Sequence, residues 1–177
     1  EWLSFGNPWE FQRKESSYSI GFGGTVDVTK EWDGATTSIW KPAENVMAIA
    51  YDTPVVGWRG EKVNTLRLWR ARSTVPIKLD LFNSGDHLGA LSESNRAESI
   101  SRVLYPADSS SSGQELRLRQ EFFFTSASVQ DILRRHVQQY NTLDNLADKV
   151  SMQLNDTHPA LAVAELMRVL VDHHNMK

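Results

Sequence analysis

The chain has 177 residues, 40% of them apolar and 23% charged, with a formal net charge of -3, which is the composition of an ordinary globular domain with one core. Its Lys and Arg residues are scattered, which argues against the basic stripe of a nucleic-acid-binding surface, and no apolar run approaches membrane-spanning length. Cysteine is absent, so disulfides and thiolate metal sites are excluded; a secretory leader is not expected either.

Residues 1–73 read mostly as β. Tyr18 to Phe22 alternates large and small side chains, and Gly23-Gly24 offers a turn or bulge. Thr25 to Thr29 alternates again. Thr36 to Trp40, Glu44 to Tyr51 and Lys62 to Arg72 are further strand candidates, divided by Asp33-Gly34, Lys41-Pro42 and Asp52-Thr-Pro54. Closely spaced strands with turn residues between them predict an antiparallel sheet.

The pattern changes at Asp80, and residues 80–177 read as mainly helical. Asp86 to Val103 carries helix formers with apolar residues at Leu88, Leu91 and Ala97 and predicts one or two helices. Ala107 to Gly113 is a polar, serine-rich loop behind Pro106. Gln114 to Tyr140 predicts a long helix, with Val129, Ile132, Leu133, His136, Val137 and Tyr140 on one amphipathic face. Thr142 to Asp148 connects to Val150, Met152 and Leu154, whose alternation predicts a strand. Asn155, Asp156, Thr157 and His158 follow as a polar turn. Pro159 suits a first helical turn, and Ala160 to Val171 predicts a nearly all-apolar helix whose polar stripe is Glu165, Arg168 and Asp172. Such a helix is covered on most sides; where cover is missing, exposed apolar surface or self-association is expected.

The strand, polar turn and helix at residues 150–171 carry the strongest chemical signal. In open α/β sheets ligands sit where a strand ends and the next helix begins, and this turn places an amide, a carboxylate and an imidazole there. On pattern alone the choice stays open between a helix cap and a ligand site. Asn155-Asp-Thr157 is also a formal N-glycosylation acceptor; a glycan would block such a turn, so a cytoplasmic home is expected. Two further readings are weaker. Six tryptophans, Trp2, Trp9, Trp32, Trp40, Trp58 and Trp69, fall in the β-rich part, as in a carbohydrate-binding module, yet Trp40 and Trp69 sit inside alternating strands and read as core. His173 and His174 are adjacent on a helix and cannot both face one metal ion.

The run Gln153-Leu-Asn-Asp-Thr-His-Pro-Ala-Leu-Ala-Val-Ala-Glu-Leu-Met-Arg-Val-Leu-Val-Asp172 resembles the corresponding segment of the α-1,4-glucan phosphorylases, the glycogen, starch and maltodextrin phosphorylases. Four more blocks are similar to the same family in the same order: Phe5-Gly-Asn-Pro-Trp-Glu10, Tyr51-Asp-Thr-Pro-Val-Val-Gly57, Val63-Asn-Thr-Leu-Arg-Leu-Trp69, and Ile100-Ser-Arg-Val-Leu-Tyr-Pro106 running on to Glu115-Leu-Arg-Leu-Arg-Gln-Glu121. The resemblance spans nearly the whole chain.

It implies an α/β fold, part of a Rossmann-like N-terminal glycosyltransferase domain with an antiparallel β-rich insertion. It also implies a glycosyltransferase that releases glucose 1-phosphate from an α-1,4-glucan with inorganic phosphate, as a homodimer. Pyridoxal phosphate, bound to a lysine of a second domain, would serve the intact enzyme. No segment here matches that lysine segment or the family's glycine-rich loop, so the chain is expected to be an internal fragment, inactive alone and without cofactor.

The resemblance places His158 and Asp156 near the scissile bond as sugar-binding groups, with Asn155 beside them. It places Asp108 and Ser109 in a loop that gates the active site, where Ser109 stands in place of the family's Asn and the following serines replace an aromatic pair. It aligns Arg134 and Arg135 with a pair that binds the phosphate of a nucleotide activator. Adjacent helix residues point about 100° apart, however, and a solvated face paired with acids such as Asp131 is the better reading, so nucleotide control is not expected. The alternatives are a non-catalytic α-glucan-binding module or a purely structural fragment.

Overall fold

A computed structural model describes residues 7–30, 36–174 and 176; Phe5-Gly6, Trp2, Trp32 and the Asp33-Gly34 turn lie outside the described residues. Strands β1 (Phe11–Phe22), β2 (Thr25–Lys30), β3 (Thr36–Lys41), β4 (Glu44–Val56) and β5 (Val63–Ser73) cover the segments whose alternation predicts them, but β1 begins at Phe11, well before the expected Tyr18. β1, β4 and β5 form one sheet in the order β1-β4-β5, and β2 and β3 form a separate hairpin; all pairings are antiparallel. A Cβ on Gly24 (φ +89°) would lie 2.0 Å from the Lys41 carbonyl oxygen, so the step from β1 into the hairpin requires glycine.

Two further details differ from expectation. Asp52-Thr-Pro54 does not break the chain but continues β4. The pairing with β1 stops at Phe11–Asp52 while β5 runs on, with Pro54 opposite Thr65, so the residue without an N–H sits where one side of the strand has no ladder to complete. In β1, Arg13 pairs with Ala50 and Ser17 with Ile49. Lys14, Glu15 and Ser16 are therefore supernumerary, and Ser16 turns inward and is buried.

The helical half comprises α1 (Leu79–Asn83), α2 (His87–Ala90), α3 (Ser92–Arg102), α4 (Ser111–Tyr140), α5 (Leu146–Lys149) and α6 (Ala162–Arg168), the last continuing as a π-helical turn, Val169–His173. α4 starts at Ser111 rather than Gln114, because the Ser110 hydroxyl accepts from the Gly113 amide at 3.2 Å and caps it. It ends at Asn141, a residue in the left-handed conformation. Along β4 the helix-facing Val46, Ala48 and Ala50 are fully buried while Met47, Ile49 and Tyr51 are half-buried, the two-residue period of a sheet covered on one face. Ile20, Trp69, Ala71, Ala97, Ile100, Phe123 and Ala127 complete this core. A second cluster, built on Val129, Leu133, Leu146, Ala162 and Val169, joins α4 to α5 and α6.

The C-terminal part departs most from expectation. Val150 is extended (φ -123°, ψ 128°), but residues 150–154 have no hydrogen-bonded strand partner among the described residues. Alternation selects an extended backbone, and only a neighbour makes it a strand. The architecture is thus mixed helix and antiparallel sheet. Pro159 lies in turns, with its carbonyl accepting from Ala162 N at 2.9 Å, and the helix proper begins at Ala162. The polar stripe of α6 begins inward: Glu165 is 2% exposed, bonded to Ser126 Oγ at 2.5 Å and to Arg168 Nε at 2.7 Å. Val163, Met167 and Val171 face outward instead.

A polar network fastens α4 to the sheet. Asp131 accepts from the Tyr18 hydroxyl at 2.7 Å, Arg67 Nη1 at 3.0 Å and Arg134 Nη2 at 3.0 Å. Arg67 also grips Asp52 through Nε (2.7 Å) and Nη2 (2.8 Å), and Arg134 Nε donates to the Tyr18 oxygen at 2.5 Å. Burial pushes the Asp131 carboxyl up, but the Tyr18, Arg134 and Arg67 contacts outweigh it and hold it below the usual range. The Arg67 bond holds Asp52 down against burial. Burial, with the bond to Asp131, raises the Tyr18 phenol to about 12.

Two outcomes follow from this packing. Ala48→Leu forces a larger side chain into the core that the sheet shares with α3 and α4 and is expected to cost about 1–3 kcal/mol, read from the urea midpoint. The two aspartates are depressed, so their contribution is complete above the unfolded carboxyl value of 3.8 and is lost as pH falls through the lower folded values. At the other end Tyr18 is raised, so its contribution is complete below 10 and is lost between 10 and about 12. Urea titrations across pH should show both limbs, with Asp131→Asn flattening the acid one and Tyr18→Phe the alkaline one.

Candidate functional site

His158 reaches its position through an unusual turn. Asp156 takes a left-handed backbone (φ 63°), which Asp tolerates better than most residues, and its Oδ1 accepts from the Thr157 amide at 2.7 Å. It therefore braces the turn locally and does not cap α6. The turn delivers the His158 ring to a cavity of about 230 Å³ lined also by Leu104, Tyr105, Arg117, Gln120, Glu121 and Phe124. The side chain of His158 is 34% exposed and that of Asp156 63%, so both reach solvent at the edge of a cleft.

The ring is held on both sides. Nδ1 lies 3.4 Å from Glu121 Oε1, and Nε2 lies 3.1 Å from the Tyr105 hydroxyl and 3.3 Å from Asp156 Oδ2. A proton on Nδ1 suits Glu121 and leaves Nε2 to accept from Tyr105; a proton on Nε2 suits Asp156. Either ring nitrogen is therefore matched, and the imidazole can donate or accept. Tyr105 stands edge-on to the ring at 5.0 Å between centroids.

Arg117 brings in the serine-rich loop. Its Nη1 meets Asp108 Oδ2 at 2.6 Å, its Nη2 lies 3.9 Å from Glu121 Oε1, and its guanidinium stacks 4.1 Å over the Tyr105 ring. Asp108 and His158, far apart in sequence, thus share one cluster. A Cβ on Gly113 would lie 2.2 Å from the Ala107 carbonyl oxygen, so glycine lets the loop lie close against the start of α4. Ser109 is exposed next to Asp108 and does not line the cavity, and Asn155 is exposed on the His158 turn.

Tyr105, Arg117, Gln120 and Glu121 were not anticipated. Arg117, Glu121 and Phe124 fall at i, i+4 and i+7 on α4, a spacing that aligns them on one face, and that was the available signal.

The other candidates separate. Arg134 is drawn into the Asp131 network and bonds Gln138 Oε1 at 3.0 Å, so it is less solvated than a surface helix residue. Arg135 is 67% exposed and 4.0 Å from Asp131. Among the described tryptophans, Trp69 is core, Trp40 is half-buried with Nε1 donating to the Gly23 carbonyl at 2.7 Å, and Trp9 and Trp58 are exposed. No cluster of His, Asp and Glu able to hold a metal occurs among the described residues, and no helix among them is long and apolar enough to cross a membrane.

The family model described as carbohydrate phosphorylase matches residues 1–177. The chain is 51% identical to a glycogen phosphorylase of Haemophilus influenzae over 97% of its own length and 20% of that protein. It is 48% identical to a glycogen phosphorylase of Chlamydia trachomatis over 99% of its length and 22% of that protein. With the brain form of glycogen phosphorylase of Homo sapiens it shares 46% identity over 97% of its length and 21% of that protein. The chain therefore spans about a fifth of the length of these relatives. A match along every residue, with identity near one half to relatives of such different origin, shows that the chain belongs to the carbohydrate phosphorylase family.

Proposed function

We propose that this chain is the sugar-side portion of the active cleft of an α-1,4-glucan phosphorylase, a glycosyltransferase that splits a terminal α-1,4 bond with inorganic phosphate and releases glucose 1-phosphate. The observation that carries the reading is the single cluster in which Arg117 and Tyr105 join the Asp108 loop to the His158 turn. In this reading His158 and Asp156 bind sugar hydroxyls beside the scissile bond, with Asn155 on the same turn. Carboxylates accept from hydroxyls and the imidazole does either. Such contacts lower the barrier to the extent that they strengthen as the glucosyl ring gains oxocarbenium character. The cavity is smaller than the about 300–1,000 Å³ of sites for drug-sized ligands, which suits one pyranose unit. Asp108 and Ser109 form the mouth of the cleft, where a gate must move to admit a chain.

Pyridoxal phosphate, which would supply a phosphate group for proton transfer in the intact enzyme, does not fit the residues present. Its attachment requires a lysine in a cleft, and among the described residues no lysine lines the His158 cavity or the clefts around Arg134 and Trp40. Lys41 lies on the surface paired with Asp27, and Lys78 with Glu93. We place the cofactor and the phosphate substrate in a further domain, across the cleft from His158. The same reading makes residues 150–154 a strand of a Rossmann-like N-terminal domain, residues 1–73 its β-rich insertion and 80–177 its mainly helical part, in a cytoplasmic homodimer. The commitment of Arg134 to Asp131 and Tyr18 favours a structural role for the Arg134–Arg135 pair over an effector phosphate site.

Exposed Trp9 and Trp58 favour a second reading, a glucan-binding module without chemistry. A saturable change in tryptophan fluorescence on titrating the purified chain with maltodextrin, abolished by Trp58→Ala but not by His158→Ala, would select it. The main reading is tested in the full-length protein by glucose 1-phosphate release from maltoheptaose. His158→Ala and Asp156→Ala are each expected to lower kcat/KM for maltoheptaose at least about tenfold, the scale of one or two lost hydrogen bonds, and unchanged values would refute the assignment. The purified chain alone should show neither turnover nor pyridoxal absorbance.

A further inference from the structure

We propose that Gln120 is a positioning residue for the sugar site: it holds Tyr105 in a strained backbone conformation so that the phenol hydroxyl meets His158. This inference rests on the sugar-binding reading of His158.

Gln120 lies in the N-terminal half of α4 and is 5% exposed. Its side chain uses both amide hydrogens and its oxygen. Nε2 donates to the Ile100 carbonyl at 2.7 Å and the Val103 carbonyl at 2.9 Å, and Oε1 accepts from the Tyr105 amide at 2.9 Å. The first two bonds satisfy carbonyls at the end of α3, which any helix leaves without partners. The third serves no helix. It fastens the amide of Tyr105, a bulky residue at φ 61°, where a side chain with a Cβ is disfavoured and persists only if its surroundings impose it.

The surroundings that impose it all belong to the cluster. The Tyr105 amide is fixed by Gln120, its ring by the Arg117 guanidinium at 4.1 Å and its hydroxyl by His158 Nε2 at 3.1 Å. Tyr105 as a whole is 56% exposed, so burial does not account for the strain. A relaxed Tyr105 backbone would swing the phenol away from His158 and leave the imidazole without its hydroxyl partner. Gln120 thus acts on the ligand through Tyr105 and His158 without touching it.

The two kinds of bond can be separated by substitution in the full-length protein. Gln120→Met keeps the volume and removes all three bonds; Gln120→Glu keeps an acceptor for the Tyr105 amide and removes both donors to α3. The expected result is a lower Tm for both variants and a maltoheptaose KM raised about tenfold, the scale of one lost hydrogen bond, in Gln120→Met alone, with phosphate KM unchanged. Adding Tyr105→Phe to Gln120→Met should raise it little further, because both changes break the same path. If Gln120→Met does not fold, Gln120→Glu decides alone: a maltoheptaose KM within about twofold of the parent supports the proposal, and a KM raised tenfold overturns it. Equal KM rises in both variants, or additivity with Tyr105→Phe, would also overturn it, since each marks a role that does not run through the Tyr105 amide. If His158→Ala itself leaves maltoheptaose kcat/KM unchanged, the sugar-site reading fails and this inference falls with it; if His158→Ala lowers kcat/KM and Gln120→Met leaves KM unchanged, only this inference fails.

Discussion

The seat of α4 on the sheet is the constraint from which the rest follows. The 30-residue helix lies chiefly along β1 while α3 lies along β5, and between them Ala48, Ala50 and Ala71 share one core with Ala127. Small residues let backbones approach and leave the filling to a few large side chains, Phe123, Ile100 and Trp69. Dispersion over such close contacts is individually small and collectively large. Once α4 is seated, its length does the spatial work. Its N-terminal half carries Arg117, Gln120 and Glu121 to the cleft, its middle carries Asp131 and Arg134 into the network with β1 and β5, and its C-terminal half supports α5 and α6.

The polar network is a different kind of fastening from the alanine seam. Two acids, several arginines and a phenol are packed between helix and sheet, and each acid has more than one partner. Such an arrangement adds little over an apolar core of the same volume, but loss of one member leaves the others desolvated without their counter-charges. Its effect is to fix where along the sheet the helix sits. A slide of one turn, about 5.4 Å, would break every contact to Asp131 at once, and the same slide would carry Glu121 away from His158. The register that builds the core is thus the register that assembles the cleft.

Much of this could be read from the chain. The five strands and the long helix announce themselves through alternation and through the Val129–Leu133–Val137 face, because both are local patterns with a fixed period. The His158 turn is legible because a polar tetrad followed by Pro interrupts two apolar segments. What was not legible depends on partners distant in sequence. Whether Val150 to Leu154 is a strand is decided by a neighbour that alternation does not name. The inward face of α6 is decided by Ser126 and Trp40, which receive Glu165 and Arg168, and Asp172 stays on the side of Glu165 and Arg168 and lines a cleft with both. Tyr105 was hidden for a related reason: a left-handed tyrosine has no sequence signature, and its role appears only when Gln120 and Arg117 are seen to hold it.

The left-handed backbone at Asp156 also bears on how this region tolerates change. Of the twenty residues, only glycine, asparagine and aspartate occupy that conformation routinely, and only aspartate combines it with a negative charge. A saturation library at this position would therefore be filtered twice, first by backbone geometry and then by chemistry. Valine, isoleucine and threonine would be removed by the turn before any ligand is consulted; glycine and asparagine would keep the shape while surrendering the charge, and of the two only asparagine keeps a side-chain oxygen to brace the turn.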